Sequence, residues 1–460
     1  MGVVRLPEHV FLTVQKHLLS TPGEHFAFML ARFAWSDGKP LFMVRDAILI
    51  PDRQARVSKG GWDLSTEAIL SVVNAAIRSG DALIEVHNHG GRTPRFSPTD
   101  LEGLREFPAY VLSSIPGRPY GATVWGDHLV YGEFFAPDGR RGPLRSVLVT
   151  GTSLRQLISR DDDGRRIDVA FDRQLPWFTP EGQRALGRLG VGVVGAGGTG
   201  SPLLQNLVYL GVRDFVVVDD DEADDTSMNR LVTATAADLG TAKGVLARRL
   251  IKSVAPGAAV RVIQSKLQSL DALDVLKGVD VLVGCVDNDG ARLVLNELAL
   301  AYEIPYFDLA VGIDVEKGKM NTAGGRLCVI VPGGPCLYCM GEIDPEEARF
   351  FLGSAEERAV QIARGYVRGM DVKAPSVVSL NATLAAIAVN ELAIFVSGVR
   401  PVHLYTEFDL LGVGRPVKSQ WVTSGRVDKR PGCIECTLAG AGDVARIERY
   451  VRAADRVRAR

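Results

Sequence analysis

The sequence predicts a two-domain α/β protein: a mixed α/β domain first, then a larger domain built on a mostly parallel sheet. Three observations carry this expectation. The chain has 460 residues, too many for one ordinary core, so two compact domains of roughly 150 residues or more are expected. Up to about residue 145, short apolar runs alternate with a single helical segment, a mixed α/β pattern. From Val191 the order becomes apolar run, glycine turn, amphipathic helix, apolar run, which is the βαβ unit of a parallel sheet.

In the first domain, expected over 1–148, Phe26 to Phe33, Leu41 to Ile50 and Leu83 to His87 read as strands and Thr66 to Arg78 as a helix. The charge-dense stretch Arg160 to Arg166, with Asp161 to Asp163, breaks the apolar pattern, so 149–172 reads as a solvated linker. The second domain, expected over 173–440, continues through apolar runs at Phe215 to Val218, Val260 to Ile263, Val279 to Val286, Pro305 to Ala310 and Arg326 to Val331. In 441–460, Val444, Ile447, Val451 and Ala454 recur at helical spacing among arginines, which predicts a docked basic helix.

Composition bounds the partners. Hydrophobic residues at 46%, charged residues at 23% and a net charge of -1 are ordinary globular values without an electrostatic footprint, so neither nucleic acid nor a membrane is expected. The longest apolar stretch, Val377 to Val399, is interrupted by Asn381, Asn390 and Glu391 and reads as a buried helix. Arg5 and Glu8 interrupt the N-terminal segment, which does not read as a signal peptide, and a cytoplasmic location is expected. There, six cysteines with four in two CxxC pairs favour metal over disulfide.

His87-Asn88-His89 closes an apolar strand, and alternate strand positions share a face. With Asp100 they would supply three protein ligands and leave the fourth position of a tetrahedral zinc to water, as catalytic sites do. The string His87, His89, Ser97 and Asp100 resembles the HxH and SxxD signature of the JAB/JAMM metallopeptidases, over about the first 140 residues. That resemblance implies a catalytic zinc, Glu24 ahead of an early strand as general base, and Ser97 as stabiliser of the tetrahedral intermediate. Glu85 is the competing carboxylate: it shares strand parity with His87 but lies inside the motif strand. Gly90 stands where that family usually has proline.

Gly195, Gly197, Gly198 and Gly200 form GxGxxG between a strand and a helix, where backbone approaches phosphate and the helix N-terminus adds its positive end. Asp219 could hold a ribose hydroxyl, so a dehydrogenase stays open at this point. Asp219 and Asp221, then Asn229-Arg230, Lys243, Asp287-Asn288 and Arg292 resemble, at matching spacing, the ThiF/MoeB family, bacterial relatives of ubiquitin-activating enzymes. The resemblance implies a Rossmann-like adenylation domain that uses ATP and magnesium to activate the C-terminal glycine of a ubiquitin-like or sulfur-carrier protein. Arg230 and Lys243 would neutralise the triphosphate, and Asp287 would hold magnesium as pyrophosphate leaves. Arg173, in Phe171 to Gln174, resembles the family's arginine that reaches across a homodimer to the partner's ATP, which implies a dimer. Ser227 and Leu231 depart from the family's asparagine and glutamine.

Cys336 with Cys339, and Cys433 with Cys436, each sit beside a Gly-Pro or Pro-Gly turn and predict a closed, structural four-thiolate zinc site. Between Met340 and Pro375 there is no cysteine to form a thioester, and Cys285 and Cys328 read as buried small hydrophobes, with Cys285 the exception to check. Three functions follow. A bifunctional enzyme would process or deconjugate a ubiquitin-like protein and activate its tail, with a conjugating-enzyme partner. A biosynthetic enzyme would instead trim and activate a sulfur carrier. A degenerate module would only bind a ubiquitin-like protein.

Overall fold

The computed structural model describes residues 2–58, 61–90, 94–126, 129–158, 166–363, 375–411, 423–425 and 427–451. They divide into two units, Met1–Arg166 with Gly440–Ala445, and Ile167–Ala439 with Arg446–Arg460.

The first unit runs β1 (Gly2–Pro7), α1 (Glu8–Leu18), β2 (Phe26–Ser36), β3 (Lys39–Leu49), β4 (Ala55–Ser58), β5 (Gly61–Leu64), α2 (Thr66–Ser79), β6 (Ala82–Asn88), α3 (Pro98–Ser114), β7 (Tyr120–Trp125), β8 (Val130–Phe135), β9 (Arg141–Thr150) and β10 (Leu154–Ile158). The main sheet has the order β1-β3-β2-β6-β7-β8-β9-β10, and β1 also pairs with β9, so the sheet closes on itself. Strand alternation sorts its side chains onto two cores. Ala27, Met29, Ile84 and Val86 pack with α1 on one face, through Val10, Phe11 and Val14. Phe28, Leu83 and Ala122 pack with α2 and α3 on the other, through Val72, Leu104 and Val111.

Two boundaries differ from expectation. The segment 149–172 is not simply a linker: it holds the end of β9 and all of β10, which pair antiparallel because Leu154, Leu157 and Ile158 bury as a short strand. Asp161 to Asp163 lie outside the described residues. Over the described part of the expected 441–460 helix, 441–451, there are instead two 3-10 turns, Gly442–Ala445 and Ile447–Tyr450. Gly440, Gly442 and Arg446 all have positive φ, which a continuous right-handed helix does not accommodate. Residues 452–460, with Ala454, lie outside the described residues.

The second unit runs α4 (Leu175–Arg188), β11 (Gly190–Val194), α5 (Gly200–Leu210), β12 (Asp214–Val218), α6 (Lys243–Val254), β13 (Ala259–Ile263), α7 (Leu270–Leu276), β14 (Val281–Gly284), α8 (Asp289–Ala301), β15 (Tyr306–Glu316), β16 (Lys319–Ile330), α9 (Leu337–Met340), α10 (Pro345–Leu352), α11 (Ala355–Ala363), α12 (Val378–Ser397), β17 (Tyr405–Asp409) and β18 (Thr423–Gly425). Its sheet has the order β13-β12-β11-β14-β15-β16-β17-β18. The strands from β13 to β15 are parallel, and β16 to β18 extend the sheet antiparallel. The chain winds outward in opposite directions from β11 and β14, so a crevice opens at the carboxyl ends of those two strands. Helix α12 is long and apolar enough to cross a membrane by length and composition. It is nevertheless a core helix: Leu384, Ala388, Leu392 and Phe395 are buried, and it packs on α4, α5, β15 and β16. Its buried Glu391 is satisfied by Arg400 and by the His403 amide.

Candidate metal and nucleotide centres

In the first unit, β6 carries Glu85 and His87 toward α3, and His89 follows directly after the strand. Asp100 arrives from the first turn of α3, because Ser97 caps that helix in a reciprocal capping box with Asp100. The ligand atoms converge: His87 Nε2 lies 3.2 Å from His89 Nε2 and 3.5 Å from Asp100 Oδ1, and His89 Nε2 lies 3.1 Å from Asp100 Oδ2. A tetrahedral ion with bonds of about 2.0–2.1 Å sets its ligand atoms about 3.3 Å apart, so this donor set fits zinc with an open fourth position. Burial works against a charged His87 ring, yet hydrogen bonds to Asp100 and Glu85 push it up to about 9. Burial likewise opposes the Asp100 carboxylate, but His87 and His89 hold it below the usual carboxylate range. A cation at this point satisfies all three groups.

Of the other expected residues, Ser97 is occupied as the helix cap, its Oγ accepting from the Asp100 amide at 3.2 Å. Glu24 is half-buried in the loop entering β2. Phe26 pairs with His87 in the antiparallel β2–β6 register, which continued outward brings Glu24 opposite His89. Asn88, between the two histidines, was not singled out by the sequence, yet it clamps that loop. Its side chain accepts from the His25 amide at 2.7 Å and donates to the Leu18 and Gly23 carbonyls at 2.8 and 3.2 Å. Gly90 has φ +58 and packs against Gly23. Proline cannot adopt that φ, which accounts for the glycine here.

In the second unit the crevice at the carboxyl ends of β11 and β14 is a cavity of about 1030 Å³. Gly195, at φ +90, turns the chain against the Cys285 carbonyl, and Gly200 approaches so closely that a Cβ would lie 1.9 Å from the Gly195 carbonyl oxygen. Gly197 faces open space, where a phosphate could meet the N-terminus of α5. Asp219 anchors the loop by accepting from the Ala196 amide at 2.6 Å and the Asp221 amide at 2.9 Å. Burial raises its pKa above the ordinary carboxylate value.

Asp219, Asp221, Arg230, Lys243, Asp287, Asn288 and Arg292 all line the cavity. Lys243 Nζ holds Asp221 at 2.7 Å, and Asn288 caps α8 while its amide nitrogen donates to Asp287 at 3.1 Å. Some of the expected residues are placed or engaged differently. Asn229 and Gly200 do not line the cavity; Asn229 instead accepts from Arg230 at 3.3 Å. The Arg292 guanidinium is engaged by Asp289, the Val286 carbonyl and buried Asp308, so it buttresses the wall. Arg173 is exposed and does not line its own chain's cavity. Ser227 closes a turn with Asp224, and Leu231 belongs to an apolar cluster with Ala223 and Leu246, which explains a hydrophobe at that position.

The four paired cysteines also converge. Cys336 lies 3.7 Å from Cys339 and from Cys433, and Cys339 lies 3.6 Å from Cys436, sulfur to sulfur. Zinc–thiolate bonds of about 2.3 Å place tetrahedral sulfurs about 3.8 Å apart, so these residues fit a closed zinc site. Cys336→Ser is expected to cost one zinc per chain and to lower the thermal midpoint of the second unit, read by metal analysis and calorimetry. Cys285 and Cys328 are separate from this cluster: Cys328 is buried as expected, whereas Cys285 is only partly buried and lines the cavity; burial, and for both the nearby Asp308 carboxylate, push their thiols far above the ordinary range.

The model of the ThiF family matches residues 171–417, more than half of the chain. The chain belongs to the ThiF family. Proteins similar to it include a SAMP-activating enzyme E1 of Haloferax volcanii, 34% identical over 36% of this chain and 58% of that protein. A sulfur carrier protein adenylyltransferase of Thermus thermophilus is 37% identical over 36% of this chain and 60% of that protein. A probable molybdopterin-synthase adenylyltransferase of Porphyra purpurea is 32% identical over 33% of this chain and 40% of that protein. The chain thus spans less than two thirds of the length of each of these relatives.

Proposed function

We propose that the second unit is an ATP-dependent adenylyltransferase acting on the C-terminal glycine of a small carrier protein. The observation that carries this reading is the switch-point crevice, where the glycine turn, Asp219, Lys243, Arg230 and Asp287 line one cavity in a chain of the ThiF family. A carboxylate oxygen of the tail attacks the α-phosphorus of ATP, the bond to the β,γ-pyrophosphate breaks, and acyl-adenylate and pyrophosphate form. Lys243 would exchange its Asp221 partner for phosphate, and Asp287 suits the magnesium that offsets charge on the leaving pyrophosphate. The cavity is also lined by Gly312, Gly324 and Gly325, residues whose lack of side chains leaves room for an extended tail.

The names of the relatives favour activation of a sulfur carrier over conjugation to other proteins. Adenylation without an enzyme thioester agrees with this, since partial burial at the cavity wall and the nearby Asp308 carboxylate push the Cys285 thiol well above its ordinary range. Cys285→Ser is expected to leave pyrophosphate exchange unchanged and to reveal no thiol-labile adduct. Arg173 would act from the partner subunit of a homodimer. Mixing Arg173→Ala with Asp287→Ala chains is then expected to restore part of the exchange activity once subunits have exchanged. Two inert singles that stay inert after confirmed exchange would place Arg173 in its own chain.

For the first unit we propose a zinc peptidase that trims the same tail, a reading favoured by the convergence of His87, His89 and Asp100. Zinc would supply an activated water there, Glu24 would carry its proton to the leaving amine, and His87, His89 and Asp100 would hold the ion. With a substrate carrying residues beyond its terminal glycine, Glu24→Ala should block AMP transfer yet adenylate a pre-trimmed tail at the normal rate. Equal adenylation of both would make the peptidase a remover of finished conjugates.

A further inference from the structure

We infer that Glu85 and Tyr120 are positioning residues for a metal ion at His87, and that Glu85 is not a proton carrier. The inference rests on the metal reading of the first unit. Glu85 lies two residues before His87 on β6, on the same face of the sheet. Its Oε1 is 3.2 Å from His87 Nδ1, and its Oε2 accepts from the Tyr120 hydroxyl at 2.6 Å. Tyr120 is fully buried on the neighbouring strand β7. In the parallel register it stands beside Leu83, so its long side chain reaches Glu85 on the diagonal.

Both carboxylate oxygens therefore have partners inside the fold, one of them the imidazole that would hold the ion. With Nδ1–H donated to Glu85, the lone pair of His87 lies on Nε2, the atom that meets His89 and Asp100. The ring is further fixed by Phe26, stacked with centroids 5.1 Å apart, and the Glu85 backbone by Thr123, whose hydroxyl donates to the Glu85 carbonyl at 2.8 Å. A carboxylate on the far nitrogen sets the tautomer and orientation of a ligating imidazole and raises its basicity, and losing one typically costs 10–100-fold in metal affinity or activity.

The test is zinc affinity of the full-length chain, measured by competition with a chelator, together with the visible absorption spectrum of the cobalt-substituted protein. Glu85→Ala is expected to weaken zinc at this centre by about 10–100-fold and to change the cobalt spectrum. Glu85→Gln keeps an acceptor for His87 and a partner for Tyr120 but loses the charge, so a smaller loss is expected. Tyr120→Phe should fall between Glu85→Gln and wild type. None should alter the four-cysteine zinc or pyrophosphate exchange. Wild-type affinity and spectrum in Glu85→Gln and Glu85→Ala would overturn the positioning role while leaving the metal centre standing. Should the alanine variant fail to fold, wild-type behaviour of the glutamine variant alone overturns it. A wild-type chain that takes no zinc lost on His87→Ala would overturn both.

Discussion

Asp287→Ala is expected to reduce ATP–pyrophosphate exchange by about 10²–10³-fold, the usual cost of removing one preorganised charge from a transition state. Asp287 stands just past the end of β14, immediately before the cap of α8, and its carboxylate is oriented by the Asn288 amide nitrogen at 3.1 Å. Without it, charge on the departing pyrophosphate would be opposed chiefly by Lys243 and Arg230. Because the carboxylate is exposed at the crevice rim, its loss should leave the fold and its thermal midpoint unchanged. Lys243→Ala should be nearly as damaging, since Lys243 opens α6 beside the glycine turn and is held there by Asp221.

His87→Ala is expected to lower the zinc content from two per chain to one and to eliminate peptidase activity, with pyrophosphate exchange intact. The remaining zinc would belong to the four cysteines, whose closed thiolate set would hold metal more tightly than an open site. Helix α3 should survive, because its capping box runs between Ser97 and Asp100 and does not involve His87. Without metal, and despite burial, the Asp100 and Glu85 carboxylates push the His87 ring up to about 9, so zinc would have to displace a proton. Affinity at this centre should therefore weaken as pH falls, which chelator competition across pH would show. Metal analysis giving one zinc per chain in the wild type, unchanged by His87→Ala, would remove the open site.

What the sequence made legible was local. Strand parity placed His87 with His89, the glycine turn fell between β11 and α5, and the CxxC pairs lay at their turns, since each depends on residues close in the chain. The missing parts depend on contacts across the sheet. Nothing near Glu85 announces Tyr120, a partner 35 residues away, and nothing near Asn88 announces the Leu18 carbonyl, 70 residues away. Arg292 matched a family position, yet its engagement comes partly from Asp308 on β15. The strand β10 escaped notice because five residues beside a charged run give too short a period to read. The helix expected at the chain's end is missing over 441–451 for the opposite reason: a helical spacing was present, but Arg446 takes up a left-handed conformation between Val444 and Ile447.

The most direct test of adenylation uses the purified full-length chain, ATP, magnesium and a sulfur-carrier-type protein ending in two glycines, with pyrophosphate exchange and mass spectrometry of the carrier as readouts. The account predicts exchange that requires the terminal glycine, an AMP adduct on the carrier's C-terminus, and loss of both in Asp287→Ala. Exchange that persists when the terminal glycine is deleted, or NADH oxidation without any exchange, would contradict it.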